Sequence, residues 1–192
     1  TVNLSASTST IVENGSAVTI TATLSGTTDE AVTVPLDTSG TATEGTDYAA
    51  ISDITIAAGA TTGTATITPT DDSISEGNKT LVVSMGTLSG ANATAGSTTS
   101  LSFSLTDDEG TPSITLTASG LSIAENSSST ITLTVTSSVV AAEDIIVSLS
   151  GSGAATSGSD YQIPNTITIS AGDLSATGAF DPTDDSIYDG AS

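Results

Sequence analysis

In SAVTITATLS, residues 16–25, apolar and polar positions alternate: Val18, Ile20, Ala22 and Leu24 share one face, Thr19, Thr21 and Thr23 the other. A period of two marks a strand with one buried face. TATITPT, TLVVSM and SLSFSLT read the same way, as do STITLTVTSS and NTITISAG further along. β-branched residues fill these runs, Gly, Asn and Asp break them at short intervals, and no i, i+3, i+4 pattern outlasts a turn. The pattern predicts an all-β chain of antiparallel sandwiches.

The strands recur in two copies. STIVENGSAVTITATLS aligns with LSIAENSSSTITLTVTS, which sets Glu13 against Glu125, 112 residues apart. GTATEGTDYAAISDITIAAG aligns with GAATSGSDYQIPNTITISAG, and TDDSISEG with TDDSIYDG, both at a spacing of 113. The linker falls in TDDEGTPS, giving one domain over residues 1–110 and a second over 111–192. NKTLVVSMGTLSG and STTSLSFSLTDDE supply two last strands to the first copy. The second copy stops after its acidic loop and is expected to lack both. It would be completed by continuation of the native chain or, alternatively, by a strand donated from a like chain.

Composition narrows the chemistry. The chain has 192 residues, 22 acids against a single Lys, Lys79, and no Cys or His, for a net charge of −21. Such an anion repels nucleic acid and anionic lipid, so neither nucleic-acid binding nor membrane insertion is expected. Apolar residues make up 36% of the chain and alternate cleanly, which separates it from disordered acidic segments. The remaining partner is a cation.

The alternation also places the acids. Glu13 follows the first strand, Asp47 lies in a Gly-rich loop, and Asp71 and Asp72 follow another strand, with Glu76 close behind. Asp107, Asp108 and Glu109 end the last strand, so all eight acids can converge on one pole of a sandwich. Carboxylates that close must protonate or bind cations. Calcium fits best, because it takes about 6–8 oxygen ligands in flexible geometry. Transition metals would bring imidazole or thiolate, and magnesium is the alternative. Asp29, Glu30, Asp37, Asp53, Glu143, Asp144, Asp173 and Asp181 read instead as turn residues on a solvated surface. Paired carboxylates can serve glycoside hydrolysis, but adjacent acids in a repeated loop fit a metal better, and the serines have no His to activate them. No enzyme is expected. Tyr48 and Tyr161, which follow the loop Asp in each copy, read as packing residues.

Together the Glu-Asn segment, the GTDY loop, TDDSISEG and the closing TDDE resemble the Calx-β domain, found in sodium–calcium exchangers and in tandem arrays on large bacterial surface proteins. The resemblance implies tandem seven-stranded, immunoglobulin-like β-sandwiches that bind several calcium ions per complete domain. It implies ligands at Glu13, Asp47, Asp71, Asp72, Glu76, Asp107 and Asp108, plus the carbonyl oxygen of Ile74. In the second copy the implied set is Glu125, Asp160, Asp184, Asp185 and Asp189, plus the carbonyl of Ile187. The function expected is a calcium-binding structural repeat of a secreted, cell-surface adhesin or fibre, with calcium stiffening each domain and its junction. The alternative is a regulatory calcium-sensor pair of the exchanger type.

Overall fold

The computed structural model describes residues 1–185, which form strands and turns without a helix. The chain divides into two units, one of Thr1–Asp72 with Gly77–Asp108, the other of Ser73–Glu76 with the chain from Glu109 onward.

In the first unit the strands are β1 (Val2–Ala6), β2 (Thr10–Val12), β3 (Val18–Leu24), β4 (Val32–Val34), β5 (Leu36–Gly40), β6 (Ile54–Ile56) and β7 (Thr62–Ile67). After β8 (Ile74–Ser75), which belongs to the other unit, come β9 (Lys79–Met85) and β10 (Ser100–Thr106). One sheet has the order β1-β3-β7, a β4–β6 pair stands beside it, and a second sheet runs β2-β10-β9-β5. These nine strands trace seven legs, because two legs switch sheets. Ser7–Ser9 interrupt the first leg between β1 and β2, and Pro35, which has no N–H to give a ladder, interrupts the third between β4 and β5.

The registers put matching faces together. Val2, Leu4 and Ala6 stand opposite Leu24, Ala22 and Ile20, while Phe103 and Leu101 stand opposite Leu81 and Val83. The core lies between the layers: Val2, Ile20, Val32, Ile54, Ile67 and Val83 are all fully buried. Along β10, however, β2 pairs in parallel, Thr10–Val12 against Ser104–Thr106. That ladder extends one residue further through the Glu13 N–H to the Thr106 carbonyl at 3.0 Å, and it carries an acid beside the end of the last strand.

The second unit holds β8, β11 (Ile114–Ala118), β12 (Ile131–Ser137), β13 (Val140–Ala141), β14 (Ile145–Ser148), β15 (Tyr161–Gln162), β16 (Thr166–Ile169) and β17 (Ser175–Pro182). Its main sheet runs β11-β12-β17-β15, β14 pairs antiparallel with β16, and β8 pairs in parallel with β13. The core is small: Val135, Ile167 and Ile169 are buried, with Leu133, Ile145, Val147 and Leu149 partly covered. Leu116, Leu133, Leu149, Tyr161, Ile163 and Phe180 line an open apolar cavity of about 320 Å³. Without its last two strands the second copy is expected to leave Ile131, Leu133, Ile146 and Leu149 as an uncovered strip of core, and Ile146 departs from that expectation. Ile146 is exposed on the outward face of β14, because its neighbours Ile145 and Val147 take the inward positions.

Candidate metal centre

The acids of the first repeat are placed by backbone bonds that fix their loops. Asp47 sits in a tight turn where its own N–H donates to the Thr43 carbonyl at 2.9 Å and its Oδ2 accepts the Thr43 N–H at 2.5 Å. Gly45 makes this turn with φ of +86°, a left-handed backbone that side chains disfavour. The Thr70 N–H then donates to the Asp47 carbonyl at 3.0 Å, which brings the segment carrying Asp71 and Asp72 alongside. Tyr48 is buried beneath the turn, as its packing role requires.

At the end of β10 a second group forms. Asn14 donates through Nδ2 to Asp108 Oδ2 at 2.6 Å, and the Gly77 N–H donates to Asp107 Oδ2 at 2.7 Å. The Asp107 N–H in turn donates to Asn78 Oδ1 at 3.3 Å. Carboxylate oxygens of Glu13, Asp108 and Glu109 all lie within 4.8 Å of one another, with Glu13 buried, Glu109 half-buried and Asp108 exposed. This spread fits a calcium ion, whose opposed oxygen ligands stand roughly 4.6–5.2 Å apart. Three carboxylates with no nitrogen or sulfur among them form a hard-cation donor set.

Among the described residues, no other group of three acids meets at that distance. Asp47, Asp71, Asp72, Glu76 and Asp107 stand outside the three-oxygen group, and Ile74 lies in β8. Asp47 is only 4% exposed, and its Oδ1 accepts the Lys79 ammonium at 2.7 Å. Asn14, Asn78 and Lys79 had no place among the site residues expected from the sequence. The signal for Lys79 was present: it continues the inward set of Leu81 and Val83 on β9, so its side chain starts from the core-facing side.

The second repeat rebuilds the Asp47 turn bond for bond. Thr156 N–H donates to Asp160 Oδ2 at 2.5 Å, Asp160 N–H to the Thr156 carbonyl at 2.9 Å, and Thr183 N–H to the Asp160 carbonyl at 2.9 Å. Gly158 repeats the positive φ, at +89°, and Tyr161 is again buried, stacked on Phe180 with centroids 4.9 Å apart. Glu125 Oε1 accepts the Asp185 N–H at 3.2 Å, so those two residues also meet. Asp184 is exposed beside them, while Ile187 and Asp189 lie outside the described residues.

The family model for the Calx-beta domain matches residues 1–110 and again 107–191. A solved structure titled as the apo-form Calx CBD1 domain is 18% identical, with a TM-score of 0.48, covering 56% of this chain and 98% of its own. CBD12 from CALX1.2 is also 18% identical, with a TM-score of 0.47 and coverage of 90% and 72%. No curated protein matches the chain.

Proposed function

The chain belongs to the Calx-beta family, whose domains bind calcium, and from that premise we propose that it is a calcium-binding structural repeat of a cell-surface adhesin or fibre. The observation that carries the calcium reading is the convergence of Glu13, Asp108 and Glu109 to within 4.8 Å. Unscreened by a cation, each such pair repels by about 1–3 kcal/mol, between water-like and protein-like dielectric. Glu13 and Asp108 follow directly after β2 and β10, so a shared cation would clamp the end of the parallel ladder that closes the second sheet. Calcium supplies charge and coordination there, with no reaction to catalyse.

The surface assignment rests on the tandem design. Two copies of one sandwich, 70 Ser and Thr residues, and Asp107, Asp108 and Glu109 directly before the Gly110–Ser113 linker suit a stiff extended array in calcium-rich surroundings. In this reading calcium also steadies the junction, and neighbouring repeats of the same chain are the partners.

Melting separates these ideas from a merely acidic sandwich. A ligand bound only by the folded form adds about 2.7 kcal/mol per site at a hundredfold excess over Kd. Calorimetry of the chain in calcium, in magnesium and in chelator should show a higher Tm with calcium. Equal Tm in calcium and chelator would overturn the calcium reading. Surface labelling of intact cells with an antibody to this chain tests the location, and labelling only after lysis would point to the intracellular sensor.

A further inference from the structure

We propose that Lys79 is a built-in cation that holds the Asp47 position of the first repeat closed to calcium, leaving the matching Asp160 of the second repeat open. The inference rests on the calcium reading and departs from the ligand set that the family resemblance implied, in which Asp47 is a metal ligand.

Three observations carry it. Lys79 is the only Lys or Arg in 192 residues, and its ammonium meets this carboxylate. Its Nζ lies 2.7 Å from Asp47 Oδ1, with Asp47 4% and Lys79 21% exposed, so little water screens the pair. The other carboxylate oxygen is already occupied by the Thr43 N–H. A calcium ion on Oδ1 would sit about 2.4 Å from that oxygen and hence within roughly 5 Å of the ammonium. Two like charges at that separation, on a carboxylate shielded from water, do not share it. An inward-facing Lys at the start of β9 also gains from a carboxylate partner there.

The second repeat is the internal control. Its Thr156–Asp160 turn has the same bonds, yet it contains no Lys or Arg, and Asp160 is half-buried rather than buried. The repeats therefore differ at this point in charge while agreeing in backbone.

The test is calcium titration by isothermal calorimetry of the whole chain, comparing wild type with Lys79→Gln and Lys79→Arg. Lys79→Gln is expected to bind one further ion, or to tighten the weakest site at least tenfold, while Lys79→Arg stays at the wild-type count. Melting in chelator should show Lys79→Gln less stable than wild type and still folded, because the bridge is lost before calcium replaces it. Wild-type binding with Lys79→Gln unchanged in number and within twofold in affinity overturns the role of Lys79 and leaves the calcium reading intact. Absence of binding in all three proteins overturns both. Should Lys79→Gln fail to fold, Lys79→Met takes its place under the same criteria.

Discussion

STIVENGS in the first repeat and LSIAENSS in the second share one frame of apolar and acidic positions, yet they end in different structures. Residues 10–12 form β2, with Ile11 1% exposed, because β10 lies alongside to accept and donate the ladder bonds. Residues 122–124 form no strand, and among the described residues none pairs with them; Leu121, just before, is fully exposed. The same contrast runs along the first strand of each copy. Leu4 is 3% exposed and Leu116, its equivalent, 53%. Full burial of a Leu is worth about 1.5–3 kcal/mol, so the second copy forgoes roughly half of that at this one position. An amphipathic strand sequence supplies one buried face and nothing to bury it against. The second layer has to come from elsewhere, and in the first repeat it comes from β9, β10 and β5.

If that is the reason for the contrast, equal truncations should have unequal costs. Ile20→Ala, at a fully buried position in the first core, is expected to cost about 2–5 kcal/mol. Leu133→Ala, the equivalent position in a half-covered core, should cost less than about 2 kcal/mol. Urea unfolding of the whole chain reads both, and equal losses would break the comparison.

The acidic turns give a smaller test. In chelator, Asp47→Asn should destabilise by about 1–3 kcal/mol, since it strips the Lys79 ammonium of a charged partner at a nearly buried site. Asp160→Asn keeps an acceptor for the Thr156 N–H and should cost under about 1 kcal/mol. A loss at Asp160 matching that at Asp47 would show that charge pairing is not what separates the two turns.

A further effect should be the same in both copies. Gly45→Ala and Gly158→Ala each force an L side chain into a left-handed backbone where nothing crowds the added Cβ, at about 1–2 kcal/mol. Thermal melts that give these two substitutions equal shifts would confirm that the turn is one local structure used twice. A silent Gly158→Ala would remove the second copy from the comparison.

The sequence by itself determined what is local. Period-two alternation fixed the strands and the inward face of β3, and the GTDY and GSDY segments fixed their turns, because side-chain direction and left-handed glycine positions are set within a few residues. The duplication, legible at spacings of 112 and 113, told which acids belong together as a class. Tertiary structure decided which of them meet. Eight acids pointed to one pole; at the end of the parallel β2–β10 ladder Glu13, Asp108 and Glu109 come within 4.8 Å of one another, and Asp47 meets Lys79. Distances between carboxylates from remote loops depend on which strands pair and in what direction. Alternation within a strand carries no record of its neighbour, so that choice is made only when the sheets close.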